Sequence, residues 1–439
     1  MGTQPAALNP FVYARPLAPH EAIGRDDDVA RLLDLAEGGH NATLFAPRRF
    51  GKTSLLKQLV DAAEGRAGML AVLVDFSDVL SEADVAARLE YSYRGLQGPV
   101  ARFIANHLQS VGIGTPAGGL VLQRPQRPEP IAAIHALLEL PAQLHEQTRK
   151  RLLIVYDEFQ ALIALKGMDG VFRSHLQHHG EFASYVFSGS EPSLLRALFE
   201  DRARPLYGQA EPARLGRLPS AAAADYVAAR FTATGKDAGP ALWPLVHAAD
   251  GHPQRLMLLA HRLWDKTAPR TAADVPLLAS AYEAAMRQVD AEMRGVWESL
   301  SPNERRVLLG LASGLSPTQA ETVALTGLRS RSSAQHAADA LLGRGVLERR
   351  DDGFAIVDPL LERWVRRRPG ARPIAYVLPR GDQWVVTDGP SLAFEHSRHD
   401  SLDAAERAAE GIVAGRAGGD VIVYDTNDPN DLPDWAIEA

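Results

Sequence analysis

Residues 46–54 read APRRFGKTS, between a short apolar run and a stretch with helical spacing. Strand, glycine-containing loop and helix in this order are typical of a phosphate-binding site. Gly51 lets backbone N–H groups close around an anion without a Cβ in the way. Lys52 adds a positive charge for the β- and γ-phosphate oxygens of a nucleotide, and the Thr53 hydroxyl is suited to ligate Mg²⁺. The stretch therefore predicts a phosphate-binding loop.

We expect the whole loop to contact nucleotide. Its predicted binding residues are Ala46, Pro47, Arg48, Arg49, Phe50, Gly51, Lys52, Thr53 and Ser54. Ala46 stands where the strict pattern has its first glycine. Because alanine has the smallest side chain after glycine, we expect this departure to be tolerated.

A second apolar run, residues 152–156, ends in the acidic pair Asp157 and Glu158. A strand that ends there would present both carboxylates at the carboxyl edge of the sheet, beside the phosphate loop. Asp157 would hold Mg²⁺ through its water shell, and Glu158 would orient the attacking water or accept its proton. Glu158 and Lys52 are thus the predicted catalytic residues. The alternative is a strand that ends in two solvated acids.

A third run, YVFSGS at residues 185–190, ends in two small hydroxyl side chains. Ser188 and Ser190 are both candidates to sense the γ-phosphate. The alternative is a serine-glycine turn that leaves a strand.

The composition is that of an ordinary globular protein, with 46 % hydrophobic and 23 % charged residues among 439. Because there are no cysteines, disulfides, thiolate catalysis and cysteine-ligated zinc are excluded. We find no secretory leader and no apolar run of membrane-spanning length, so we expect a cytoplasmic protein without a membrane partner.

Strands and helices alternate as far as residue 219, which predicts a parallel α/β sheet. Helical spacing then replaces the strands. The predicted segments are an N-terminal arm at 1–22, an α/β core at 23–219, a helical lid at 220–300, a winged helix at 301–370, a small ββαβ domain at 371–428 and an acidic tail at 429–439.

Residues 301–370 have the outline of a winged helix, with three helices and two strands around a turn at 351–353. In a DNA-binding version the third helix enters the major groove of duplex DNA. The predicted DNA contacts are Arg329, Arg331, Ser333, Gln335, His336, Arg349 and Arg350. The segment carries 11 arginines against 8 acidic residues, a modest excess. Packing against the nucleotide domain or another protein is therefore an open alternative.

The segment from residue 371 alternates as a hairpin that turns at 380–382, followed by a helix and a last strand. It resembles a small bacterial domain of unknown function with a PRGDGW-like signature. It shows no paired acids, metal-ligand spacing or nucleophile, so recruitment of a protein partner is the hypothesis left for it.

Taken in order, the motifs resemble those of the archaeal-type P-loop ATPases, which are close to the STAND signalling ATPases and to the origin-recognition branch of the AAA+ superfamily. The segments that carry this resemblance are NPFVYARPL, AIGRDDD, APRRFGKTS, LLIVYDEFQ, VFSGS, PLYGQAEPARLGRLP and GHPQRLMLLAHRLW. The resemblance implies that Gly24 and Arg25 lie near the nucleotide base. It also implies that Pro253 or Arg255 contacts the nucleotide from the lid, and for Arg255 a solvated helix charge is the alternative.

One position departs from this pattern. Relatives often have an arginine after the LYG triplet, and that arginine is a plausible finger for the transition state. Gln209 stands there in this chain. Either Arg202 or Arg204 takes that role, or a neighbouring subunit of an oligomer supplies the arginine.

Together these features predict a switch that binds and hydrolyses ATP with Mg²⁺ and couples the ATP or ADP state to the orientation of the winged helix. One alternative is a nucleotide-gated DNA-binding regulator, initiator-like, with little hydrolysis. Another is a non-catalytic scaffold that recruits protein through its C-terminal domain.

Overall fold

A computed structural model describes residues 8–110, 129–317, 319, 322–323, 327–350, 353–371, 373–388, 394–414 and 420–424. The chain divides into two compact units. The first unit is Pro16–Gly216, and the second is Met1–Arg15 with Arg217–Ala439. Several predicted features lie outside the described residues: most of the second helix of the winged helix, residues 351–352 of its turn, and the tail at 429–439. Within the described ranges, no helix has both the length and the apolar character needed to cross a membrane.

The first unit contains a five-stranded parallel sheet in the order β2-β3-β4-β1-β5. The strands are β1 Ala42–Phe45, β2 Met69–Asp75, β3 Arg151–Asp157, β4 Ala183–Gly189 and β5 Glu211–Arg214. This confirms the predicted parallel α/β core. The central strands are almost fully buried because helices cover both faces, which is why they read as continuous apolar runs.

Seven described helices surround this sheet: α1 Asp26–Glu37, α2 Lys52–Glu64, α3 Glu82–Arg94, α4 Pro99–Ser110, α5 Pro130–Thr148, α6 Met168–Leu176 and α7 Pro192–Phe199. A short 3₁₀ helix, Phe159–Ala164, follows β3. Buried aromatic rings lie under the end of β3, where Tyr156 stacks on Phe159 with ring centroids 5.7 Å apart. This packing fixes the backbone on both sides of the acidic pair.

The second unit begins with four helices: α8 Ser220–Ala233, α9 Leu242–Ala249, α10 Pro253–Lys266 and α11 Val275–Glu298. Part of the predicted N-terminal arm packs on them. Phe11 is buried, with its ring 5.4 Å from that of Phe231. Asn9 donates a hydrogen bond to the carbonyl of His261 at 3.1 Å. Residues 8–15 are therefore part of this helical layer.

The next part of the second unit, residues 301–370, is named here the predicted winged helix. Its described elements are α12 Pro302–Ala312, α13 Arg331–Gly343, β6 Leu347–Arg350, β7 Gly353–Ile356 and α14 Pro359–Arg366. β6 and β7 pair as an antiparallel hairpin. These elements follow the predicted order, and the winged-helix assignment itself stays a prediction.

The last part of the second unit is a four-stranded sheet in the order β10-β9-β8-β11, with β11 parallel to β8. Its elements are β8 Ile374–Arg380, β9 Gln383–Thr387, β10 Glu395–His399, α15 Leu402–Ala414 and β11 Asp420–Val423. The predicted ββαβ order was wrong because it omitted β10. That strand reads EHSRH and lies at the edge of the sheet, so it carries no apolar alternation that sequence reasoning could detect.

Candidate active site at the phosphate loop

The phosphate loop contains two residues with a left-handed backbone. Arg49 and Gly51 have φ of 67° and 81°, and α2 begins at Lys52. A Cβ built on Gly51 would meet no atom within 4 Å, so the loop is open on that side. A loop of this shape followed by a helix N-terminus presents backbone N–H groups to an anion.

The side chains of the loop divide into anchors and exposed groups. Ala46 and Phe50 are each 1 % exposed and hold the loop in the core. The Ser54 hydroxyl accepts a hydrogen bond from the backbone of Leu17 at 2.9 Å. The Arg48 side chain is 75 % exposed and lies 3.8 Å from a single carboxylate. Arg49 is exposed as well, so both arginines of the loop lie at its surface.

Lys52 lies between the two predicted acids. Its side chain is buried, and its Nζ contacts Asp157 Oδ1 and, at 2.8 Å, Glu158 Oε1. The structure therefore brings together the three residues predicted from two motifs 105 positions apart. A buried cation next to two carboxylates leaves one negative charge in excess, which suits a site for a divalent cation.

Thr53 and Asp157 lie beside each other at the same edge of the sheet. The Thr53 hydroxyl donates to Asp157 Oδ2 at 3.4 Å. A hydroxyl and a carboxylate form the oxygen donor set that Mg²⁺ prefers, so these residues fit the predicted metal-binding role.

Glu158 is held in a fixed position by several donors. Its φ of 53° is left-handed, which is unusual for a residue with a side chain. Its Oε2 accepts from the Ser190 hydroxyl at 2.7 Å and from the side chain of Gln160 at 2.5 Å. Burial raises the pKa of Glu158, but hydrogen bonds and charge from Lys52, with the bonds from Ser190 and Gln160, lower it to about 2 overall. In this arrangement Glu158 is ionised and is a weak base.

Sequence reasoning missed Gln160. Its side chain is buried and contacts the catalytic candidate Glu158. The side-chain amide oxygen of Gln160 packs where a Cβ on Gly189 would lie. The only signal was its place in DEFQ, two residues after the glutamate. The contact depends on the left-handed turn at Glu158, which the sequence does not reveal.

The structure separates the two sensor candidates. Ser190 reaches Glu158 through its hydroxyl and, at 3.3 Å, through its backbone N–H. Ser188 is fully buried in β4, and its hydroxyl has no hydrogen-bond partner among the described residues. The sensor role stays a prediction for both.

Arg25 was expected near the nucleotide base, together with Gly24. Gly24 has a φ of 54° and places Arg25 before α1. The Arg25 guanidinium is 5 % exposed and donates to the backbone carbonyls of Phe50 and Gly216. Its side chain thus contacts the backbone of the phosphate loop.

Arg255 lies in the second unit, two residues after Pro253, the first residue of α10. It is 1 % exposed, which excludes the alternative of a solvated helix charge. Its Nε lies 3.0 Å from both carboxylate oxygens of Asp358, and its Nη2 lies 2.9 Å from Glu292. Burial raises the pKa of Asp358, but the Arg255 charge and hydrogen bonds outweigh it and lower that pKa overall. The predicted contacts of Pro253 and Arg255 with nucleotide stay predictions, and the observed role of Arg255 is to join α10 to the start of α14.

Gln209, in the segment expected to supply an arginine finger, lies at the amino edge of the sheet, opposite the phosphate loop. The Gln209 carbonyl accepts from Asn41, which precedes β1, whereas the phosphate loop follows the last residue of β1. Arg204 pairs with Asp169 at 3.2 Å. The assignment of a finger to Arg202, to Arg204 or to a neighbouring subunit stays a prediction.

The predicted DNA contacts fall into two groups. Near the start of α13, Arg329, Arg331 and His336 are exposed. At the same end of α13, Gln335 donates to Asp339 at 2.9 Å, and the Ser333 hydroxyl contacts that of the capping Ser330 at 2.8 Å.

The two arginines of the β6-β7 hairpin are engaged within the second unit. Arg349 lies over the Phe354 ring, 4.8 Å from its centroid. Arg350 donates to Asp250 at 2.6 Å and to Glu348 at 3.0 Å. These contacts compete with any phosphate contact by the hairpin.

Comparison with known proteins supports the fold. No protein-family model and no curated protein matches the chain. Among solved structures, a Walker-type ATPase of Pyrococcus abyssi is 17 % identical, matches 80 % of this chain and 99 % of its own, and gives a TM-score of 0.60. The ORC2 protein of Aeropyrum pernix, solved in ADPNP–ADP complexes, is 15 % identical, matches 82 % of this chain and 98 % of its own, and gives a TM-score of 0.49. At such identity a likeness shows the fold alone. The chain therefore has the fold of an archaeal Walker-type P-loop ATPase, as its motifs predicted.

Proposed function

We propose that the chain binds and hydrolyses Mg-ATP and couples its nucleotide state to the orientation of the predicted winged helix. The observation that carries this proposal is the cluster of Lys52, Asp157 and Glu158 at the head of α2, beside an open glycine loop.

Nucleotide binding is assigned to the loop and to Lys52. The Lys52 ammonium would exchange its carboxylate contacts for phosphate oxygens, which also accept charge-assisted hydrogen bonds. The backbone N–H groups around Gly51 and the N-terminus of α2 add donors at the same place.

The metal-binding role is assigned to Thr53 and Asp157. Their oxygens are 3.4 Å apart, close enough to serve the same cation. When bound there, Mg²⁺ supplies positive charge for the phosphate oxygens.

The catalytic role is assigned to Glu158. While Lys52 contacts it, its pKa of about 2 makes it a poor base. If the Lys52 ammonium turns to phosphate, Glu158 loses the hydrogen bond and the nearby positive charge of Lys52. The pKa of Glu158 then rises toward its ordinary value. Ser190 and Gln160 would keep the carboxylate in place, so that it can orient an attacking water.

The switch role draws support from the second unit. Arg255 joins α10 to Asp358 at the start of α14, and Arg217 donates to Glu348 of β6 at 2.7 Å. These part-buried contacts connect the helical layer to the predicted winged helix. The two parts would therefore move together when ATP and ADP favour different conformations.

Steady-state ATP hydrolysis tests the proposal. The wild-type chain should hydrolyse ATP in the presence of Mg²⁺, and Lys52→Ala and Glu158→Gln should both reduce the rate. Equal rates for the three proteins would refute the catalytic assignment.

DNA binding is a second candidate because Arg329, Arg331 and His336 are exposed near the start of α13. Duplex affinity should fall steeply with salt concentration, and Arg331→Ala should weaken it. Binding that does not depend on salt would remove this candidate. Measuring ATP turnover with and without duplex DNA would show whether the two activities are linked.

A further inference from the structure

We propose that Arg25 is a positioning residue that orients the phosphate loop and ties it to the peptide between Gly216 and Arg217, where the two units meet along the chain. The proposal rests on the proposed function, because it describes how the state of the nucleotide site would reach the second unit.

A single nitrogen of Arg25 joins two distant backbone segments. Its Nη2 donates to the Phe50 carbonyl at 3.3 Å and to the Gly216 carbonyl at 2.9 Å, while Nη1 lies 3.3 Å from Asp28. Burial lowers the pKa of the guanidinium. An arginine remains charged in proteins nonetheless, so these are charge-assisted hydrogen bonds.

The contact with Phe50 sets the direction of a donor in the phosphate loop. The carbonyl of Phe50 and the N–H of Gly51 belong to one planar trans peptide, so they point in opposite directions. Holding the carbonyl at Arg25 therefore turns the Gly51 N–H away from Arg25. Gly51 has a φ of 81° and open space where a Cβ would stand, so this peptide is easily rotated without the restraint.

The contact with Gly216 reaches the boundary between the units, which falls between Gly216 and Arg217. On the far side of that peptide, Arg217 donates to Glu348 at 2.7 Å and to the Val357 carbonyl at 2.9 Å, and it pairs with Asp250 at 2.9 Å. An arginine from each unit thus fixes one side of the junction. Because one nitrogen holds both carbonyls, a rotation of the loop peptide that shifts the Phe50 carbonyl would also change the geometry of the bond to Gly216.

Arg151 provides a matched control in the first unit. Its guanidinium also donates to backbone carbonyls, those of Ala36 at 2.7 Å, Gly180 at 2.8 Å and Glu181 at 2.9 Å. It begins β3, at the amino edge of the sheet, whereas the phosphate loop follows the carboxyl end of β1. Arg151→Met should thus disturb the fold in a similar way without turning the loop.

The first measurement is the affinity for mant-ATP, a fluorescent ATP analogue, in the presence of Mg²⁺. We expect Arg25→Met to bind about tenfold more weakly than wild type, and Arg151→Met to stay within about twofold. Arg25→Lys should recover part of the loss, since it keeps the charge but not the planar fork. If Arg25→Met does not fold, the affinity of Arg25→Lys tests the positioning role instead. Equal affinities of the Arg25 and Arg151 variants would overturn the positioning role.

The second measurement uses the absence of cysteines from the chain. Dyes attached to Glu64→Cys in the first unit and Ala340→Cys in the second report energy transfer with and without saturating Mg-mant-ATP. We expect a nucleotide-dependent change in the otherwise wild-type chain and in Arg151→Met, and none in Arg25→Met. A full change in saturated Arg25→Met would overturn the coupling. A wild-type chain that binds no nucleotide would overturn the proposed function and this inference with it.

Discussion

Two buried cations in this molecule, Lys52 and Arg255, are held by carboxylates in different ways. The Lys52 ammonium contacts Asp157 and Glu158 beside an open loop. The Arg255 guanidinium is clamped between two carboxylates and is 1 % exposed. The same kind of ion pair can therefore let a cation exchange its partners at Lys52 and stabilise the fold at Arg255.

The chemistry of the two side chains matches this difference. A lysine ammonium is a compact charge on a flexible stem, which can turn from one set of anions to another. An arginine guanidinium is a planar fork whose paired bonds to one carboxylate must break together. Asp358 is held in place by a further bond, because it also accepts from the backbone N–H of Leu360 at 2.9 Å at the start of α14.

The largest expected effect comes from removing the catalytic acid at the Lys52 cluster. Glu158→Gln keeps the shape of the side chain but not its ability to accept a proton. Turnover should fall by roughly 10²–10⁴-fold, while ATP affinity changes little. Phosphate release measures the first and calorimetry the second. Glu82→Gln, at the exposed first residue of α3, is the control. A parallel loss in both variants would contradict the assignment.

The next largest effect is expected from removing Arg255 from its contacts with Asp358 and Glu292. Arg255→Met leaves the half-buried Asp358 carboxylate without its cation, and this should lower the free energy of unfolding by about 3 kcal/mol. Arg262→Met on the same helix removes a partly exposed arginine and should cost less than about 1 kcal/mol. Denaturant unfolding compares them. Equal costs would mean that the Arg255 cluster does not stabilise the fold.

A smaller effect concerns the metal-binding role of Thr53. Thr53→Ala removes one oxygen donor, and the Mg²⁺ concentration needed for half-maximal turnover should rise about tenfold. Thr53→Ser keeps the hydroxyl and should behave as wild type. An unchanged Mg²⁺ requirement in Thr53→Ala would place the metal elsewhere.

A last effect is a pH dependence of stability that involves neither Lys52 nor Arg255. Burial, with the charges of His175 and His178, lowers the pKa of His179 from 6.5 to about 4. Since the unfolded chain takes up this proton first, stability should fall as pH drops from about 6.5 to about 4 and then level off. His179→Gln should flatten this slope, whereas His336→Gln, at an exposed position of α13, should leave it unchanged. Denaturant unfolding between these pH values measures the free energy of unfolding. An equal dependence on pH in both variants would contradict the assignment to His179.

The sequence predicted the Lys52 cluster because parallel strands end at a common edge, so strand ends locate Asp157 and Glu158 next to the loop. Periodicity could not predict the contacts of Arg25 or Arg255. Each joins segments more than a hundred residues apart, through packing that no local pattern records. β10 was missed for a local reason, since a polar edge strand lacks apolar alternation.

The central claim is that Lys52 exchanges its carboxylate partners for phosphate. Calorimetric titration of Mg-ATP into wild type and Lys52→Ala tests it most directly. We predict that wild type binds one ATP per chain and that Lys52→Ala binds roughly 10–100-fold more weakly. Equal affinity of the two proteins, or no binding by wild type, would contradict the claim.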